Sequence, residues 1–223
     1  MKHIHKLTLI LSSICLFLIS CKGEDTLENK FESFSDTRDG NVYKTIKIGN
    51  QTWMAENLKY LPAISNNSTV SLATPLYYVY SYSGTDVIVA KNGINYTTYG
   101  VLYNWEAAKN ACPTGWHLPS SSEWNQLISY LGGANVAGIK LKSTTLWSNP
   151  YEGTSNDSKF TALPAGYLNE NKKFSVLGEA AYFWTSTVNG STAYAYGMFN
   201  YDGKTNGGYI SKQIGMSVRC IKD

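Results

Sequence analysis

Chemistry in this chain would have to come from one histidine, two cysteines or a surplus of tyrosine. Of the three histidines, His3 and His5 stand among the first six residues, so His117 alone lies within the body of the sequence. A hydrolytic triad would need that imidazole, yet it is fixed in Trp116-His117-Leu118-Pro119 just ahead of a helix start. A hydrogen-bonded structural histidine suits that setting better, and no catalytic residue is assigned. One histidine and two cysteines do not make a tetrahedral zinc site. Glu152 with Asn156-Asp157 offers oxygen ligands for calcium but reads as an ordinary polar loop, so no metal is expected. No glycine-rich nucleotide signature is present, and no cofactor is expected. The tyrosines remain. Tyr77, Tyr78, Tyr80 and Tyr82, with Tyr194, Tyr196, Tyr201 and Tyr209 further on, could offer flat amphipathic faces to a sugar or a protein partner. Their competing role is strand packing, where tyrosine is a good residue with a wet hydroxyl.

The elements that position these groups follow from composition and pattern. The chain has 223 residues, 17 Tyr and 6 Trp but only 16% charged side chains. That profile fits one β-rich globular domain with a polar-aromatic surface. The 19 basic residues nearly balance the 16 acidic ones and form no clustered basic patch, which sets aside a nucleic-acid partner bound through phosphate neutralisation.

Residues 1–20 begin with Lys2 and Lys6, run apolar from Leu7 to Ile19 and end on Ser20, the pattern of a signal peptide. Leu18-Ile19-Ser20-Cys21 resembles the lipobox of bacterial lipoproteins, which implies lipidation of Cys21 and a membrane anchor. Lys22-Gly23-Glu24-Asp25 resembles the short tag that directs some Bacteroidota lipoproteins to the outer face of the outer membrane. An outer-membrane lipoprotein exposed at the cell surface is therefore expected. Residues 21–35 read as a polar tether and residues 36–223 as the domain. Loss of Lys2 and Lys6 with the leader lowers the net charge from +3 to +1.

Within the domain, alternation from Asn41 and a turn at Gly49-Asn50 predict a hairpin into Gln51-Thr52-Trp53-Met54. Val42, Ile46 and Ile48 share one face and Tyr43, Thr45 and Lys47 the other. Asn57 to Asn95 reads as long loops with one or two short strands. Leu102 to Ala111 reads as a helix stopped by Cys112-Pro113. Ser120 and Glu123 form a capping box ahead of Trp124, Leu127, Ile128 and Leu131, and Gly132-Gly133 ends that helix. Strands are expected at Ile139–Leu141, Phe160–Leu163, Tyr182–Val188, Thr192–Phe199, Gly208–Ser211 and Met216–Ile221. Asn189-Gly190 is the turn between the two longest. The order indicates an α+β fold.

Several segments together resemble one family. They are Arg38-Asp39-Gly40, Ile48-Gly49-Asn50-Gln51-Thr52-Trp53-Met54, Tyr99-Gly100-Val101-Leu102-Tyr103-Asn104-Trp105, Cys112-Pro113-Thr114-Gly115-Trp116-His117-Leu118-Pro119, Leu163-Pro164-Ala165-Gly166-Tyr167 and Ser217-Val218-Arg219-Cys220. They closely resemble the Fibrobacter succinogenes major paralogous domain, found in surface lipoproteins of Fibrobacter and Bacteroidota. Trp116-His117-Leu118-Pro119 through Glu123-Trp124, then Phe183-Trp184-Thr185-Ser186 and Val218-Arg219-Cys220, more distantly resemble the formylglycine-generating sulfatase-modifying domain. That resemblance implies a C-type-lectin-like fold, with two helices flanking a twisted antiparallel sheet and long loops. C-type lectin folds tie the end of the first helix to the last strand, which implies a disulfide between Cys112 and Cys220; two reduced buried thiols are the alternative. The anchor, the tether and a loop-rich aromatic domain with no catalytic set together indicate a lipid-anchored, non-catalytic binding domain for an extracellular glycan or a surface protein. A diverged sulfatase-modifying-like enzyme and a structural subunit of a surface assembly are the alternatives.

Overall fold

The structure, a computed structural model, describes residues 30–223. The leader, Cys21 and the tether as far as residue 29 lie outside the described residues. In chain order the elements are β1 (Glu32–Ser35), β2 (Val42–Ile48), β3 (Gln51–Met54), β4 (Tyr77–Tyr78), α1 (Val87–Lys91), α2 (Ile94–Tyr99), β5 (Leu102–Tyr103), α3 (Trp105–Ala108) and β6 (Trp116–His117). They continue with α4 (Ser121–Tyr130), α5 (Ala137–Leu141), β7 (Tyr167–Leu168), β8 (Phe174–Ser175), β9 (Ala180–Asn189), β10 (Thr192–Phe199), β11 (Asn206–Ser211) and β12 (Ile221–Lys222). Mixed α and β, with sheet dominating, is the observed class.

A five-stranded antiparallel sheet in the order β1-β2-β3-β12-β6 brings the last strand among the first. The β2–β3 hairpin closes through Gly49-Asn50 with Ile48 opposite Gln51. Gly49 takes φ +60° there, which a side chain would resist. Both faces of this sheet are covered. Ile46, Ile48 and Trp53 pack against Trp124, Leu127 and Ile128 of α4, while Tyr43 and Met54 enter a second cluster with Leu58, Tyr103 and Trp184. Tyr43 and Thr45 are thus buried as deeply as Ile46, and Val42 is exposed at the strand end.

The tether gives up its last four residues to this sheet. β1 pairs with β2, and Phe34 is stacked between Tyr43 and Trp116 at centroid distances of 5.5 and 4.5 Å. That aromatic contact draws in a segment whose composition alone reads as linker.

The second half builds a three-stranded sheet, β11-β10-β9, with β4-β5 and β7-β8 as separate two-stranded ladders. Isolated bridges from Gly215, Met216 and Ser217 to Leu168, Tyr103 and Phe183 stitch β7, β5 and β9 together. The capping box is complete: the Ser120 hydroxyl accepts from the Glu123 N–H, and the Glu123 carboxylate accepts from the Ser120 N–H. α4 follows it for ten residues.

Five local expectations are corrected. Leu102 to Ala111 is a two-residue strand and then a four-residue helix, because Tyr103 exchanges both backbone hydrogen bonds with Met216 and Asn104 caps Ala107. Ile139–Leu141 belongs to α5, whose Lys142 N–H donates to Gly138 O. Phe160–Leu163 makes only a bridge at Ala162, since Lys159 and Thr161 adopt positive φ and break extension. Of Met216–Ile221, only Ile221 enters β12, and the rest bonds outward to other elements. The β9–β10 turn is Gly190-Ser191, with Asn189 opposite Thr192 and φ +56° at Gly190. A turn with one positive φ needs its glycine first, which shifts it by one residue. Five short helical segments stand among the described residues in place of the expected two, α1 and α2 lying in or overlapping what reads as loop.

Candidate functional site

The ionisable cluster around His117 is structural in geometry. From β6 its Nε2 meets Glu123 Oε1 at 2.8 Å and its Nδ1 meets Asp223 Oδ1 at 2.7 Å. Two carboxylate neighbours require both nitrogens to donate, which is the imidazolium form. Burial pulls the His117 pKa down, but the hydrogen bonds to Asp223 and Glu123 outweigh it and the pKa is raised. Burial pushes Glu123 up, and the bonds from Ser120 and His117 outweigh that, leaving it lowered. The Ser120 hydroxyl donates to Glu123 Oε2 at 2.8 Å, not to the imidazole. The order Asp223, His117, Glu123, Ser120 therefore offers no nucleophile facing a base.

Cys112 and Cys220 form a disulfide with Cα atoms 5.8 Å apart, closing 108 residues of chain. Next to it, Arg219 is fully buried, and among the described residues it forms no ion pair with a carboxylate. Its Nε donates to Asn57 Oδ1 at 2.8 Å, its Nη1 to the carbonyls of Met54 and Phe160, and its Nη2 to Thr161 O at 2.7 Å. The guanidinium also lies 4.5 Å from the Phe160 ring centroid. Burial pulls its pKa down to about 9, so it stays charged at neutral pH. Phe183-Trp184-Thr185-Ser186 is equally architectural. The Trp184 indole donates to Tyr103 O, Thr185 O accepts from the Trp105 indole, and the Ser186 N–H reaches Pro119 O at the start of α4.

The tyrosines expected to bind do not form one face. Tyr78 and Tyr196 are buried: Tyr78 donates to Thr69 O, and Tyr196 stacks on Trp124 and donates to Asn125. These two are corrected to packing residues, because β4 and β10 lie between layers and have no wet face there. Tyr77 packs edge-on to Tyr103, Tyr80 lies against Phe174, and Tyr82 donates to Asp86 O ahead of α1. Tyr194 is wedged between Tyr196 and Tyr209.

Of the tyrosines singled out from sequence, Tyr209 meets two others, Tyr167 and Tyr182, at a surface groove of about 400 Å³. Tyr167 from β7, Tyr182 from β9 and Tyr209 from β11 contribute rings, the β7–β8 turn contributes Asn169, Glu170 and Asn171, and Ile214 and Met216 contribute apolar surface. Gly166 makes this possible. It takes φ +62°, and a Cβ there would stand 2.3 Å from Ser175 O, so only glycine lets β7 turn against β8 with Tyr167 on the groove. Tyr167 meets Tyr182 edge-on at 5.1 Å, Tyr182 meets Phe199 at 5.7 Å, and Phe199 stacks on Tyr201 at 5.2 Å. Tyr182 crosses Gly197 on the neighbouring strand, where a Cβ would come within 3.1 Å of its ring. Tyr167 and Tyr182 were not singled out from sequence, since neither sits in a tyrosine-dense run. The signal was the motif Leu163-Pro164-Ala165-Gly166-Tyr167, whose glycine marks a close approach.

Among the described residues no three His, Cys, Asp or Glu side chains are grouped to hold a metal ion, and no helix is long and apolar enough to cross a membrane. Fold and groove together define a disulfide-tied, sheet-rich α and β domain with an aromatic surface cleft. The chain belongs to the Fibrobacter succinogenes major domain family, whose model matches residues 46–222. No curated protein and no solved structure shows significant similarity to it.

Proposed function

We propose that this chain is a lipid-anchored protein of the bacterial outer membrane, displayed at the cell surface, whose C-type-lectin-like domain binds an extracellular glycan or surface protein without catalysis. The observation that carries this reading is the open groove walled by Tyr167, Tyr182 and Tyr209, whose inner two rings are anchored on the core while Tyr209 stays half exposed, an aromatic surface of the kind that marks a binding site. The ionisable groups with a claim to chemistry are occupied elsewhere, His117 between two carboxylates and both cysteines in a disulfide. A sulfatase-modifying type of oxidation would require those cysteines as thiols. The C-type-lectin likeness draws support from the last strand joining the first strands in one sheet, and from the bond tying residue 112, past the end of α3, to the chain end.

Anchoring is tested on whole cells fed an alkyne fatty acid. The parent chain takes up the label, stays in the membrane fraction and is shaved by external protease. C21S loses the label and leaves the membrane. An unlabelled parent, or a C21S variant that stays membrane-bound, overturns the anchor.

A further inference from the structure

The groove does more than expose rings; it continues into a line of them. From Tyr167 through Tyr182 and Phe199 to Tyr201, successive centroids step by 5.1, 5.7 and 5.2 Å. Tyr201 is 68% exposed at the far end, and Tyr209 is 49% exposed on the groove wall. These rings are held rather than loose. Tyr209 is braced at 89° by Tyr194, and Tyr182 is seated over Gly197, so little rotamer freedom is left to lose on binding.

We propose that the Tyr167–Tyr182–Tyr209 groove and its extension to Tyr201 form a binding site for an extended chain of uncharged sugars. This rests on the binding-domain reading above and names its ligand class and place. A pyranose has an apolar C–H face and a rim of hydroxyls. Aromatic faces match the first, and the amide and carboxylate groups of Asn171 and Glu170 at the turn match the second. Charge selects further: among the described residues Glu170 lines the groove and no lysine or arginine does, which disfavours uronic acids, sialic acids and phosphorylated ligands. Burial, with Tyr167 and Tyr201 nearby, pushes the Tyr182 hydroxyl up to about 12, so it remains a neutral hydrogen-bonding group. An extended ligand is favoured over a single sugar because the rings run beyond the groove, and several weak stacking contacts then add along one chain.

The test is calorimetric titration of the full chain, extracted in detergent, with cellohexaose, xylohexaose, mannohexaose, laminarihexaose and an oligogalacturonate. At least one neutral hexasaccharide binds saturably, with the oligogalacturonate weaker. Y209A and Y201A each weaken that binding about tenfold, the loss of one stacking contact. Y182F weakens it by less, and Y130A, which removes an exposed ring on α4 outside the groove, leaves it unchanged. Y209A and Y201A remove exposed rings from different segments, so each checks the other if one fails to fold. Neutral binding unmoved by both variants overturns the site, and preference for the oligogalacturonate overturns the ligand class. If no sugar binds but a defined surface protein is crosslinked through this domain, the saccharide inference falls while the binding-domain reading stands. If neither is found, both fall.

Discussion

At the scale of single residues, Arg219 and His117 show how isolated charges are put to structural use. Arg219 gathers the carbonyls of Met54, Phe160 and Thr161 around one guanidinium, and so holds a loop in which Asn156, Lys159 and Thr161 all take positive φ. The strain of that loop persists because the surrounding contacts over-determine it. His117 makes stability depend on pH in a definite direction. Its pKa is raised from 6.5, so its contribution is complete below 6.5 and is lost as pH rises through the higher folded value. Glu123, lowered from 4.5, contributes above 4.5 and loses that contribution as pH falls through its lower folded value. Urea midpoints measured across pH should therefore peak between those limits, and H117Q should flatten the alkaline side. The change should stay below about 1 kcal/mol, since the cluster is partly exposed and solvent screens it. That His117 would be hydrogen-bonded was legible from its neighbours in sequence, among them Glu123 at the start of α4. Its partner Asp223 was not, standing 106 residues away.

At the scale of elements, what could be read was what is locally determined. α4 begins at Ser120 because a hydroxyl and a carboxylate three residues apart satisfy each other's backbone donors. S120A should cost about 1 kcal/mol in denaturant unfolding, the usual worth of an N-cap, plus part of the Glu123 orientation that His117 uses. The β2–β3 hairpin was legible for the same reason, its turn chemistry lying in two adjacent residues. β5, β7 and the bounds of β4 and β12 were not, since each is two residues long and owes its conformation to a partner far away in the chain. Gly166 tests the groove at this scale. G166A should destabilise the fold by more than 1 kcal/mol and reduce the Tyr167 side of the groove, because both its positive φ and the Ser175 carbonyl oppose a methyl group.

At the scale of the molecule, the disulfide between Cys112 and Cys220 closes the sheet that the first and last strands share. A loop of 108 residues limits the unfolded chain enough that C112S/C220S should lose up to ~5 kcal/mol, less any native strain that the bond carries. A denaturant midpoint unchanged by the double substitution, or by reduction, would show that packing alone holds the closure. The family, the α and β character, the two main hairpins and the capped helix all follow from residues near one another in sequence. Periodicity, turn chemistry and caps act over a few positions, so where they agree with the tertiary packing, as at α4 and the β2–β3 hairpin, they are read directly. Which tyrosines face water could be decided only by the tertiary structure. Tyr78 and Tyr196 went into the core, and Tyr167, Tyr182 and Tyr209 met at a groove from three separate strands. A strand's pattern states which residues share a face, but the layer packed against that face determines whether it is wet.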